Sequence, residues 1–139
     1  MSFPDFMQAA DSKKQLSETA SLQYLNYFRN IYTILNEFEK VDSVSLQDFS
    51  ETQKEILIKA LQKPIFVSEN DMEINGLAAK QHRLTGVVGN EEINEKMYYC
   101  LTHIEGEKKR YEVVFWTWDK HRAKYLNDID KIMGSFEEF

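Results

Sequence analysis

Tyr98-Tyr99-Cys100-Leu101-Thr102-His103-Ile104, then Glu105-Gly106-Glu107-Lys108-Lys109, then Tyr111-Glu112-Val113-Val114-Phe115-Trp116, is the stretch whose reading decides the fold. Met97, Tyr99, Leu101 and His103 alternate with Tyr98, Cys100, Thr102 and Ile104. Both sets are largely apolar or aromatic, as in a strand covered on both faces. The polar segment 105–109 contains one glycine able to take positive φ, so it reads as a turn. Tyr111, Val113 and Phe115 alternate with Glu112, Val114 and Trp116, which returns the chain as a β-branched and aromatic strand. Tyr125, Ile129, Ile132, Met133 and Phe136 follow at helical spacing and make one apolar stripe. A hairpin dressed on two faces, followed by an amphipathic helix, must bury that helix on the sheet.

The chain has 139 residues, enough for one domain with a real core, and we read 1–139 as a single domain. Its apolar and charged fractions, 42% and 29%, are those of an ordinary soluble protein. A formal net charge of -6 argues against nonspecific nucleic-acid binding. Cys100, the single cysteine, rules out an intrachain disulfide and a multi-cysteine metal site. Its place inside a strand makes it a small buried apolar residue. No run of about 18 apolar residues predicts a transmembrane helix. Met1 to Phe6 lacks a basic region followed by an apolar one, so a soluble chain is expected: cytoplasmic, or of the cell envelope if a leader has been removed.

Outward from the closing unit, Phe3, Phe6 and Met7 read as anchors of an entry segment, Asp11-Ser12-Lys13-Lys14 as a surface turn and Leu16 as a return inward. Leu22 to Phe38 alternates as strand with a bend or tight hairpin at 26–30. A helix competes there, since Leu22, Leu25, Phe28 and Ile31 step in threes, but Ile31-Tyr32-Thr33-Ile34 favours strand. Ser43 to Gln62 reads as a helix, or as two joined near Phe49. Ser45 with Asp48, or Ser50 with Gln53, caps it; Phe49, Ile56, Leu57, Ala60 and Leu61 share one face; Pro64 stops it. Phe66, Met72 and Ile74 approach a turn at Asn75-Gly76, the strongest hairpin signal present. Leu77 to Val88 reads as a long strand, with Ala78 and Ala79 small enough to seat a helix. Gly89-Asn90 and the polar segment 91–95 lead to the closing unit. Strands, helix, strands, helix in that order predict an α+β fold: an antiparallel sheet with helices packed on its faces.

Several of these segments carry a resemblance. Ala20-Ser21-Leu22-Gln23-Tyr24 with Asn26 and Tyr32, Ile74-Asn75-Gly76-Leu77-Ala78, Tyr98-Tyr99, Trp116-Thr117 and Ser135-Phe136 recur in this order in small bacterial proteins of the PsbP-like superfamily, which this chain resembles. The superfamily includes a photosystem accessory protein, a Ran-binding protein, DcrB-type envelope lipoproteins and chaperones of secreted effectors. The resemblance implies an antiparallel sheet sandwiched between helices and no enzyme activity. Asn30 stands where the family often carries an acidic residue, two before the matched Tyr32. The matched positions are turns and core positions, so no functional residue is carried over.

The sequence nominates no catalytic, metal or cofactor residue. His82, His103 and His121 include no i, i+4 pair, so no zinc-binding helix is present. His82 and His103 can meet across adjacent strands, which gives two ligands at most; ordinary hydrogen-bonded histidines are the simpler reading. There is no Gly-rich phosphate loop and no Gly-x-Ser-x-Gly elbow. Lys108, Lys109 and Arg110 at the turn are separated by a strand of about 23 Å from Lys120, His121, Arg122 and Lys124, so the two clusters do not form one nucleic-acid track. Solvation explains the second cluster best, although it would also suit an acidic partner. Thr117 reads as the N-cap of the last helix, and Trp116 and Trp118 as covers of that junction, one of them able to line a groove. The surface candidates are therefore Trp118, Lys120, Arg122, His82 and His103. The leading expectation is a non-catalytic binding or accessory module with a protein partner. The alternatives are a ligand carrier or enzyme with a site around His82, His103 and Tyr99, and a chaperone-like partner of another protein.

Overall fold

The structure is a computed structural model that describes residues 1–10, 17, 20–26, 29–88 and 95–138. The expected turn at 11–14, the dip at Leu16 and the connection at 89–94 lie outside the described residues. Strands β1 (Gln8–Ala9), β2 (Leu22–Asn26), β3 (Ile31–Glu39), β4 (Gln62–Ile74), β5 (Leu77–Val88), β6 (Glu95–Glu105) and β7 (Lys109–Trp118) form one sheet in the order β1-β2-β3-β7-β6-β5-β4. Every pairing is antiparallel. Helix α1 (Leu46–Lys59) crosses from β3 to β4, and α2 (Arg122–Gly134) follows β7. The α+β class and the helix-covered antiparallel sheet are as the sequence predicts.

Local chemistry explains most boundaries. Asn75 and Gly76 both take positive φ, 48° and 84°, the geometry that a two-residue hairpin with right-handed strand twist requires. Ile31 pairs with Asn26, so the bend expected at 26–30 is a hairpin and the strand reading of 22–38 holds. Ser45 caps α1 by accepting the Asp48 N–H at 3.1 Å. The helix ends at Ala60, four residues before Pro64. Pro64 is not the stop: it sits exposed on edge strand β4, where its missing N–H costs nothing.

The α2 face carries the larger core. Phe115, Cys100, Ile104, Val113 and Ile31 are fully buried there with Tyr125, Ile129 and Ile132 of the last helix and Phe136 just beyond it. Burial pushes the Cys100 thiol up to about 11, so it behaves as a small apolar side chain. On the α1 face, Leu84, Leu101, Tyr99 and Met97 meet Leu57, Ile58 and Leu61. Of the two alanines expected to seat a helix, Ala78 is exposed and Ala79 is buried in the α2-side core; on the α1 side the close approach is at Gly86, where a Cβ would stand 2.7 Å from Cδ1 of Leu61, just past the end of α1. Ile56 also departs from expectation, remaining 59% exposed rather than buried. Thr117 caps no helix. It is a buried β7 residue whose hydroxyl donates to the Asn30 carbonyl at 2.7 Å, and a 3-10 turn at Asp119–His121 intervenes before α2.

Behind α2 the chain folds back, and Glu138 accepts backbone N–H groups of Glu107, Lys108 and Lys109 and the Tyr111 hydroxyl. Burial alone would raise its carboxyl. The N–H groups of Lys108 and Glu107 and the Tyr111 hydroxyl prevail and hold it at about 2, against an ordinary value of 4.5. A depressed folded-state pKa means stability that is present above the unfolded value and lost as pH falls. The stability of the wild type should therefore decline between pH 4.5 and about 2 more steeply than that of Glu138→Gln, measured by urea denaturation at each pH. Parallel curves would remove Glu138 as the cause. Phe115→Ala, at a fully buried site, should cost about 3–5 kcal/mol in the same assay. A loss below about 1 kcal/mol would contradict the burial of that side chain.

Candidate functional site

Strand register sorts the residues under α1 into rows. Tyr32, Trp116 and Tyr99 stand side by side across β3, β7 and β6. The next row is Ile34, Val114, Leu101 and His82, reaching Glu69 on β4. The third is Asn36, Glu112, His103 and Lys80, reaching Asp71. The first row is aromatic, the second mostly aliphatic and the third polar.

The middle of the polar row, Glu112 and His103, is buried and connected to its neighbours. The Asn36 amide donates to Glu112 Oε1 at 3.2 Å, and His103 Nε2 meets Glu112 Oε2 at 2.9 Å. His103 Nδ1 lies 2.6 Å from Ser50 Oγ, and Ser50 Oγ lies 2.8 Å from His82 Nε2. Ser50 and His103 are wholly inaccessible and His82 nearly so, at 2%. Phe49, beside Ser50 on α1, closes the row with its ring edge-on to His103 at 5.4 Å. His82 and His103 thus do meet, as the strand pattern suggests. Their link is a serine that the sequence offered only as an alternative cap.

Two directions of hydrogen bonding are self-consistent in this chain. Glu112 only accepts, so His103 Nε2 carries a proton in both. With His103 neutral, Nδ1 accepts from the Ser50 hydroxyl, which accepts from His82 Nε2–H, and His82 Nδ1 is a bare lone pair. With His103 charged, the order reverses and His82 Nδ1 carries the proton. Burial lowers the pKa of His82, with Glu69 opposing, so its neutral form is favoured at neutral pH. Ser50, His103 and Glu112 have the composition of a nucleophilic triad. The Ser50 hydroxyl, however, is enclosed by α1 and two imidazoles, with no surface a substrate could reach.

The chain ends at two surface depressions. Glu112 lies in the floor of a groove of about 510 Å³ between α1 and the sheet, lined by Ile34, Ile56, Leu57, Tyr99, Val114 and Trp116. Trp116 stacks on Tyr32 at 5.4 Å and on Tyr99 at 6.4 Å, forming an aromatic shelf along the groove. His82 lines a smaller pocket of about 270 Å³ with Lys54, Phe66, Val67, Ser68 and Glu69. Glu51, Glu69 and His82 each place a potential ligand atom within 4.8 Å of the others.

The remaining candidates stand apart. Trp118 stacks on His121 at the strand–helix junction, and Lys120 Nζ lies 4.0 Å over the Trp118 ring. Arg122 bridges to Asp119 at 3.4 Å and lies over Tyr98. These cations are engaged locally and do not join His82 and His103 in one site. Trp116, rather than Trp118, lines the groove. Sequence reasoning missed Ser50, Glu112 and Ile56. A charged residue inside an otherwise apolar strand, as at Glu112, was the one available signal.

Ser50→Ala would strip both imidazoles of their shared partner. It should destabilise the protein by about 1–3 kcal/mol, the cost of leaving buried polar groups unsatisfied. Thr52→Ala, two residues away at an exposed position, should cost less than about 0.5 kcal/mol in the same urea titration. Equal effects would mean that the serine clamp contributes nothing.

No family model and no curated protein matches the sequence. Solved structures do match. The solution structure of cyanobacterial PsbP (CyanoP) from Synechocystis sp. PCC 6803 aligns with a TM-score of 0.70 at 12% identity, covering 99% of this chain and 84% of that one. PA94, a protein of unknown function from Pseudomonas aeruginosa, aligns at 0.66 with 13% identity over 96% of this chain and 81% of its own. The Ran-binding protein Mog1p of Saccharomyces cerevisiae aligns at 0.58 with 13% identity over 89% and 74%. These likenesses span most of every chain compared and concern the arrangement of strands and helices. The chain has the PsbP-like fold.

Proposed function

We propose that this chain is a non-catalytic binding module and that its binding surface is the groove between α1 and the aromatic shelf. The observation that carries this reading is the uncovered half of the α1 face. Ile56 is 59% exposed in the groove that Trp116 also lines, and Trp116 and the Tyr32 stacked on it are only partly covered. Apolar surface left open next to a packed core marks an interaction site. The groove is partly open to solvent, whereas pockets for small molecules enclose most of their ligand. Its occupant is therefore an apolar segment of a partner protein, anchored by side chains that reach the aromatic shelf. The enclosure of Ser50 supports a non-catalytic role. That Mog1p is a Ran-binding protein agrees with a binding role for this fold without indicating the partner here.

A photo-crosslinking amino acid at position 56, with a control at exposed Lys131 on α2, tests this in cells of the source organism. The expected result is one discrete crosslinked protein from position 56 and none from 131. With that protein purified, Ile56→Arg should weaken binding by roughly tenfold or more without changing thermal stability. Equal crosslinking from both positions, or affinity unchanged by Ile56→Arg, would reject the groove as the interface.

A further inference from the structure

The far end of the buried hydrogen-bond chain has no part in the groove. We propose that Glu51, Glu69 and His82 form a binding site for a divalent first-row transition ion, with zinc as the fitting case. The ligand atoms lie within 4.8 Å of one another and come from three elements, α1, β4 and β5. Zinc bonds of about 2.0–2.2 Å set tetrahedral ligand atoms roughly 3–4 Å apart, so the site closes by about 1 Å. That movement falls to two glutamates with partly exposed side chains, 37% and 46%, and leaves the buried imidazole in place.

The independent observation is the imidazole itself. His82 is 98% buried, yet it lines the pocket that Glu69 borders. Its Nε2 is held by Ser50, and among the described residues Nδ1 takes no hydrogen bond. A histidine that ligates a metal through one nitrogen characteristically donates its other N–H to a fixed acceptor, which sets the tautomer and the ring orientation. Ser50 is that acceptor, and it is oriented in turn by His103 and Glu112. In this direction of the chain, Nδ1 is a lone pair. A cation bound there selects this direction over its reverse.

The donor set decides the class of ion. One nitrogen and two carboxylates, with room for water, match three protein ligands and an open position on zinc. Calcium and magnesium favour all-oxygen sites. The opposing groups are Lys54, 2.7 Å from Glu51, and Lys80, 3.0 Å from Glu69. Both have somewhere else to go. Lys80 also contacts Asp71 at 3.5 Å and Gln47, and Lys54 lies 5.3 Å over the Phe66 ring. The lysines thus act as exchangeable counter-ions to the two carboxylates, and they compete with the metal.

The test is calorimetric titration of the full chain with Zn²⁺ in excess Mg²⁺, with imidazole nitrogen NMR to locate the bound ion. One equivalent should bind saturably, shifting His82 Nδ1 and leaving His121 unchanged. Glu69→Gln, at an exposed position, should weaken binding by roughly tenfold or more. Lys54→Met should tighten it several-fold, because it removes a competing ammonium. Three results would overturn the proposal: no saturable uptake below about 1 mM Zn²⁺, affinity unchanged in Glu69→Gln, or a shift confined to His121. His82→Ala is unsuitable because it empties a buried position.

Discussion

One hydroxyl fixes where α1 lies. Ser50 Oγ sits between His82 Nε2 at 2.8 Å and His103 Nδ1 at 2.6 Å, inside a region with no water contact. Apolar contacts tolerate sliding, because burial is nearly indifferent to direction. A buried polar chain does not: moving α1 by one turn, about 5.4 Å, would leave two imidazoles and a hydroxyl unpaired. The clamp thus gives the helix a unique register on the sheet, whereas Leu57, Ile58 and Leu61 supply attraction without specifying position. Gly86 adds a steric limit of the same kind, since its missing Cβ is where Leu61 sits.

The groove follows from that placement. The histidines belong to β5 and β6, so the helix they hold lies mainly over β4, β5 and β6; it meets β3 and β7 at Phe49, whose ring packs on Phe38 and beneath Arg110, and the Tyr32 and Trp116 end of those strands is left partly open. On the opposite face, α2 and the entry segment with Phe3, Phe6 and Met7 complete the cover. The sheet is therefore closed on one face and half-closed on the other. The open half carries Tyr32 and Trp116, large rings that contribute contact area at small conformational cost. An aromatic shelf beside a helix pinned by hydrogen bonds is a preformed surface. A partner meeting it does not have to order it first.

How much of this the sequence disclosed depends on the range of the interaction. Two-sided alternation at 97–104 and 111–116 disclosed a sheet covered on both faces, because strand period is a local property. Asn75-Gly76 disclosed its hairpin for the same reason, since two positive φ angles in succession demand those residues. Thr117 misled because a hydroxyl before a helical stripe looks like a cap wherever it occurs. Its actual bond, to the Asn30 carbonyl, spans 87 residues. Ile56 misled because helical spacing assigns a face but does not say how far the facing sheet extends. Ser50 was invisible as a clamp: its meaning depends on register across β5, β6 and β7, which no local pattern encodes.

The same chain of bonds gives the two surface depressions a common element. Glu112 lies in the groove floor, and His82 lies in the wall of the second pocket. Between them are three hydrogen bonds and two residues, Ser50 and His103, that solvent does not reach. The two bonds to Ser50 reverse together, because a hydroxyl that donates to one imidazole cannot donate to the other, whereas the His103–Glu112 bond keeps its direction because a carboxylate only accepts. The helix that positions the groove and the network that runs from the groove to the second pocket are held by the same serine. Sequence change at Ser50 would alter the shape and the electrostatics of this face together, and no substitution there can separate them.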